Sequence, residues 1–125
     1  MMKNLLTGKR GSGKTTRLLY ASEFNNAPIL VHNNELKKLI KAEAQELNLH
    51  IPEPISVHDI TDGRLKGMCE DILIDDLDMV VEELFKAFGF RNNILGASIS
   101  YNGINGRIQW LPQKKNLKLI IQTRS

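Results

Sequence analysis

Gly8-Lys9-Arg10-Gly11-Ser12-Gly13-Lys14-Thr15 has the spacing G-x-x-x-x-G-K-[ST] of a phosphate-binding loop. Its glycines let the backbone wrap an anion without side-chain clashes, and the loop N–H groups then converge as a nest for anionic oxygens. Lys14 adds a positive charge for the β- and γ-phosphates, and the Thr15 hydroxyl suits Mg²⁺. A helix starting at this point turns its positive end toward the same anion. The flanks agree with the motif. Asn4-Leu5-Leu6-Thr7 reads as a short buried strand, and Lys14 to Phe24 contains neither Gly nor Pro and reads as a helix.

A second stretch answers the first. In Asp71-Ile72-Leu73-Ile74-Asp75-Asp76 an apolar run ends in acids. A parallel strand buried on both faces reads as continuous apolar residues. Its carboxyl end opens on the crevice where open α/β sheets bind ligands, so Asp75 there is placed to hold Mg²⁺.

Between the two stretches, Asn25-Asn26-Ala27-Pro28 is a turn and Ile29-Leu30-Val31-His32 a second strand. Asn33 or Asn34 caps a helix over Glu35 to Asn48, whose apolar face is Leu36, Leu39, Ile40, Ala44 and Leu47. Lys37, Lys38 and Lys41 fall off that face and read as a solvated surface. Pro52-Glu53-Pro54 forces an extended connection into Ile55-Ser56-Val57-His58, a third short strand. His58-Asp59 has neither a third member nor a nucleophile nearby and reads as structural rather than catalytic. Gly63 and Gly67 weaken any helix over Thr61 to Glu70.

Past the acids, Leu77 to Phe88 predicts a helix with Leu77, Val81, Leu84, Phe85 and Phe88 on one stripe, Asp78 as N-cap and Gly89 as the stop. Ala97 to Tyr101 and Arg107 to Trp110 flank Asn102-Gly103-Ile104-Asn105-Gly106 and read as a β-hairpin, with Trp110 packing. Leu117 to Thr123 is a final strand after a basic turn, Pro112 to Asn116. No internal repeat or linker is evident, so residues 1–125 are expected to form a single domain.

Composition sets the class. The chain has a 42% hydrophobic and 25% charged content and a net charge of +3, ordinary for a globular protein with a mild basic bias. Cys69 is the single cysteine, which excludes an internal disulfide and a cysteine zinc cluster. No apolar run reaches membrane-spanning length. Met1-Met2-Lys3 leads straight toward a strand, so a secretory signal is not expected and the cytoplasm is.

With the phosphate loop as Walker A and Ile72 to Asp76 as Walker B, the chain resembles the P-loop NTPases. It looks like their RecA-like, additional-strand branch, which includes helicase, phage-packaging and AAA-type ATPases. The resemblance implies an α/β three-layer sandwich with a mainly parallel sheet, to which the hairpin is an insertion. It implies nucleotide binding by Gly8, Lys9, Arg10, Gly11, Ser12, Gly13, Lys14, Thr15 and Thr16, and Mg²⁺ held by Thr15 and Asp75. In that branch the acid after the Walker B Asp polarises the attacking water, so Asp76 and Lys14 are the catalytic candidates. The family's residue is usually Glu, and Asp76 is one methylene shorter. Gln122 or Thr123, ending the last strand, matches the γ-phosphate sensor.

The function implied is Mg²⁺-dependent ATP binding with slow or partner-activated hydrolysis. A nucleoside kinase is the rival enzyme, since Ser12 to Leu19 with His58-Asp59 and the Ile-Asp-Asp strand is similar to thymidine kinases. Those usually carry a cysteine zinc ribbon and a longer C-terminal lasso, against which the single cysteine and early stop count. A non-hydrolysing nucleotide-binding regulator or assembly protein is the third reading. No Asn-Lys-x-Asp motif for guanine is present. A homo-oligomer or partner protein is expected to complete the site. Arg107, Lys114, Lys115 and Lys118 form a basic group suited to nucleic-acid phosphates.

Overall fold

The computed structural model describes residues 5–7, 11–63 and 71–99. The chain divides into two compact units, Thr15–Asn92 and Met1–Lys14 with Asn93–Ser125. In the second of these the described residues before Lys14 and after Asn92 are irregular, including Leu5–Thr7, where a strand is expected from sequence. A strand persists only where a neighbour takes its N–H and C=O groups, and no pairing to these residues occurs among the described ones. The expected hairpin from Tyr101 onward and the final strand lie outside the described residues.

The Thr15–Asn92 unit is a small α/β fold. Its elements in chain order are α1 (Lys14–Asn25, opening one residue before the unit), β1 (Ile29–Val31), α2 (Asn34–Glu46), β2 (Ile55–Ser56), α3 (Val57–Thr61), β3 (Leu73–Ile74) and α4 (Leu77–Ala87). The strands form a parallel sheet in the order β2-β1-β3. Leu30 pairs with Ile55 on one side and with Ile74 on the other. The ladder beside β3 is closed by Leu73 N–H to Pro28 O at 2.9 Å and Asp75 N–H to Leu30 O at 3.0 Å.

Successive strand residues alternate between two apolar clusters, as the pleat requires. Ile29 and Val31 join Leu19 of α1 and Ile40 and Ala44 of α2, with Leu73 against them. Leu30 and Ile55 join Val57 of α3 and Val80 of α4, with Ile74 and Leu84 against them. Both sides of β1 are thus covered by helices, and all three of its residues are buried, which is why it reads as an unbroken apolar run.

Helix ends follow local chemistry. Asn33 caps α2: its Oδ1 accepts from Leu36 N–H at 2.9 Å with Asn33 in extended backbone. Helix α4 stops in a Schellman turn at Gly89, with φ +84°. Phe90 N–H reaches Phe85 O and Gly89 N–H reaches Lys86 O, both at 2.9 Å. The Phe85 and Phe90 rings meet edge to face at 5.6 Å across that turn, the apolar contact that accompanies the motif. Asn48 (φ 58°) ends α2 in the same manner, with Leu49 N–H on Ala44 O.

Four sequence expectations are corrected here. Ile55 to His58 is not a strand throughout: β2 ends at Ser56 and Val57 begins α3. The side chain of Asp59 takes the Ser56 N–H at 2.9 Å, offering the backbone a helix start in place of a longer ladder. Asp78 is not the cap of α4. Asp76 is, in left-handed backbone, and Asp78 lies in the first turn, where an acid still complements the helix end. The buried residue of α4 is Val80, which the expected stripe omits, while Phe88 of that stripe stands 61% exposed, because the apolar face turns toward the Leu30 cluster and ends before the C-cap. Leu39 is also exposed, on the outer side of α2 from Ile40.

The lysines of α2 are only partly a solvated surface. Lys37 forms an ion pair with Asp59 at 2.9 Å, with both side chains largely buried, whereas Lys41 meets Glu53 in the open at 3.1 Å and Lys38 is exposed. Asp59 therefore accepts two hydrogen bonds, from Lys37 Nζ and Ser56 N–H, tying α2 to the start of α3. Asp59→Ala leaves a cation and a buried N–H without their acceptor, and is expected to cost about 2–4 kcal/mol of unfolding free energy. Urea denaturation measures it, and a loss below about 0.5 kcal/mol, the ordinary surface value, would contradict the assignment.

Candidate functional site

The phosphate-loop motif enters α1 through two residues in left-handed backbone, Gly11 at φ +81° and Gly13 at φ +89°. A Cβ at either would meet no described atom within 4 Å. Glycine is required there for conformation, since other residues adopt this region at a cost. Gly8, Lys9 and Arg10 lie outside the described residues. Lys14 opens the helix.

Helix α1 departs from the charge rule that the others keep. Helices α2, α3 and α4 carry Glu35, Asp59 and Asp78 in their first turns. The first turn of α1 is Lys14-Thr15-Thr16-Arg17 and contains no acid. Cations at the positive end of a helix add to the field that attracts an anion there.

One residue further on, Thr15 meets Asp75. The Thr15 hydroxyl donates to the Asp75 carboxylate, with Oγ1 at 3.3 Å from Oδ2 and 3.5 Å from Oδ1. The two residues are 60 apart in sequence and are brought together by α1 packing beside β1 and β3 pairing with β1. Asp75 stands at the carboxyl end of β3. The chain leaves β1 toward β2 on one side and returns to β3 on the other, so the strand order reverses here, the place where open α/β sheets bind ligands.

The donor set fits Mg²⁺. Cis ligands of an octahedral ion with bonds of about 2.1 Å are about 3 Å apart, close to the Thr15–Asp75 separation. Both donors are hard oxygens, and Mg²⁺ asks for one or two protein oxygens, keeping its other positions for water and phosphate. No group of three or more His, Cys, Asp or Glu side chains suited to a metal occurs among the described residues.

The remaining expected site residues fall into three groups. Thr16, expected on the nucleotide, donates its hydroxyl to Glu43 of α2 at 3.4 Å. Asp76 follows Asp75 in strained backbone, φ 58° and ψ 68°, and makes no side-chain capping bond. Non-glycine residues held in that region concentrate at functional sites. Gln122 and Thr123, with Arg107, Lys114, Lys115 and Lys118, lie outside the described residues. His58 is exposed and Asp59 is committed to Lys37 and Ser56, so that pair is structural.

Two polar groups at the carboxyl edge were not singled out by the sequence. His32, just past β1, and Ser56, at the end of β2, each hold a buried polar atom without a hydrogen-bond partner among the described residues, Nδ1 and Oγ respectively. The signal was present: like Asp75, each is a polar residue ending an apolar strand. An open cleft elsewhere in this unit is lined by Lys37, Lys38, Lys41, Glu53, Asp59 and Asp62 among others, and its charges largely cancel. No helix among the described residues is long and apolar enough to cross a membrane. Comparison with protein-family models, with curated proteins and with solved structures finds no match for this chain.

Proposed function

We propose that the chain binds Mg²⁺-ATP and is a P-loop ATPase whose hydrolysis is slow until a second subunit or a partner completes the site. The observation that carries this is the Thr15–Asp75 contact, because it joins the last residue of the G-x-x-x-x-G-K-[ST] motif to the acid that ends an apolar parallel strand. The two motifs lie 60 residues apart in sequence, and the fold brings them within hydrogen-bond distance. The left-handed glycines and the cationic first turn of α1 give the same sign of support. In this reading the fold is the three-layer P-loop sandwich, Gly8 to Thr16 surround the phosphates, and Thr15 and Asp75 hold the metal. Bound there, Mg²⁺ would neutralise charge on the β- and γ-phosphates. Lys14 holds the same phosphates by charge, and Asp76 orients the attacking water.

Asp75→Asn tests the metal assignment. The amide keeps the shape and removes the charge, so affinity for a nonhydrolysable ATP analogue is expected to fall about tenfold or more in Mg²⁺ and to change little in EDTA. Calorimetric titration under both conditions reads the difference. Equal losses with and without metal would show that Asp75 acts on the fold rather than on the ion. A thymidine-phosphorylation assay separates the kinase reading, for which nothing in the described residues argues more strongly.

A further inference from the structure

We propose that Glu43 of α2 is a positioning residue for the metal site: it holds the first turn of α1 by the Thr16 hydroxyl and so keeps Thr15 turned to Asp75; this rests on the nucleotide reading above. The first observation is a pair of contacts made by neighbouring residues. The Thr15 hydroxyl donates to Asp75 Oδ2 at 3.3 Å, and the Thr16 hydroxyl donates to Glu43 Oε2 at 3.4 Å. Successive side chains leave an α-helix about 100° apart, so the two contacts pull in different directions. One reaches β3 and the other α2. A turn held from two sides resists rotation about the helix axis, and a turn held by Asp75 alone does not.

The second observation is that α1 has little of its own to fix this end. Gly13 precedes the helix and has no side chain to accept from the first-turn N–H groups, and no acid stands in that turn. By contrast, α2 has the Asn33 cap and Glu35. Helix ends fray where nothing fixes them. Glu43 supplies from the neighbouring helix a hold that α1 lacks in its own sequence.

The third observation is how firmly Glu43 is placed. Ile40 and Ala44, on either side of it along α2, are each 3% exposed in the cluster that also contains Leu19 of α1. Leu19 lies one turn beyond Thr16, on the same side of α1, so apolar packing between the two helices sets the approach of hydroxyl to carboxylate. Thr16 and Glu43 are themselves partly buried. A hydroxyl has one hydrogen to donate. While Glu43 takes it, Thr16 offers a phosphate its backbone N–H, and the side chain serves the position of its neighbour. That position matters because Mg²⁺ demands near-ideal octahedral geometry.

Calorimetric titration of the full chain with a nonhydrolysable ATP analogue, in Mg²⁺ and in EDTA, tests the assignment. Glu43→Ala and Thr16→Val are each expected to lower affinity roughly tenfold in Mg²⁺ and to change it little in EDTA, because the turn they release carries a metal donor. Thr16→Val keeps the shape of the side chain, so it reads the contact even where Glu43→Ala loosens the fold. The double variant should lose no more than either single one. Glu43→Gln keeps an acceptor oxygen for the hydroxyl and should retain most of the affinity. In a Thr15→Val background, where the metal donor is already gone, Glu43→Ala should have no further effect. Given binding by the wild type, unchanged affinity in either Glu43→Ala or Thr16→Val overturns the proposal. Equal losses with and without metal overturn it as well, as does a loss in Glu43→Gln as large as in Glu43→Ala. A gain in affinity in Glu43→Ala would show a carboxylate that repels the phosphates, and overturns it too. Absence of any analogue binding by the wild type would instead overturn the nucleotide reading, and the positioning role with it.

Discussion

ATP hydrolysis by the isolated chain is expected to be slow, and to rise by roughly 10³–10⁵ when a neighbouring subunit or partner supplies an arginine to the γ-phosphate. Two features motivate the expectation. Asp76 occupies the position of the water-orienting acid but is a methylene shorter than the usual Glu of the resembled family. In the sequence Arg10 lies in the loop and Arg17 just past it, and Arg64, Arg91, Arg107 and Arg124 stand in no motif that assigns one to the γ-phosphate. Loss of an arginine outweighs a methylene, because the arginine meets charge that develops only in the transition state. Asp76→Asn should then abolish the stimulated rate and leave ATP affinity unchanged, since the carboxylate acts on the water and not on the bound phosphates. Specific activity measured against protein concentration decides the point. A fast rate that stays constant down to the monomeric range would show a self-sufficient site.

Lys14→Ala should weaken binding of the ATP analogue by about 1.5–3 kcal/mol, the value of a charge-assisted hydrogen bond, or about ten- to 150-fold in Kd. Lys14 contributes a point charge to the phosphates, and the loop N–H groups remain, so binding is weakened and not abolished. Lys14→Ala is also expected to lose most of the stabilisation that nucleotide gives the wild type. Thermal unfolding with and without the analogue measures that loss. Equal affinity of wild type and variant would remove Lys14 from the site.

Much of the α/β core was legible because its determinants are local or periodic. Helix α1 follows from a stretch without Gly or Pro after the loop and α2 from apolar residues at helical spacing, and the Asn33 cap and the Gly89 stop are side-chain and backbone chemistry visible in a few residues. Residues Ile29–Val31 read as an unbroken apolar run because helices cover both sides of β1, and Leu73–Ile74 pairs beside it, partly buried. What was missed depends on contacts that sequence spacing does not encode. Ile55 to His58 looked like a strand because its pattern is apolar, and the Asp59 carboxylate on the Ser56 N–H turned it into a helix start. Lys37 looked like a surface charge until α3 brought Asp59 to it. On α4 the expected stripe took in exposed Phe88 and left out buried Val80, because residue spacing alone does not show which way the helix turns against the sheet.

The site shows the same division. Thr15 and Asp75 were each marked by motif, and their meeting across 60 residues needed the sheet. Thr16 was expected on the nucleotide, yet its hydroxyl is turned to Glu43 of the neighbouring helix. His32 ends its strand just as Asp75 does, but a lone histidine carries no spacing by which to recognise it. What sets it apart is a buried ring nitrogen without a hydrogen-bond partner among the described residues, a property of the folded chain.

Calorimetric titration of the full chain with a nonhydrolysable ATP analogue in Mg²⁺ tests the central claim most directly. The account predicts saturable binding of one analogue per chain, weakened by EDTA and by Lys14→Ala. No saturable heat at millimolar analogue, accompanied by no shift in unfolding temperature, would contradict it.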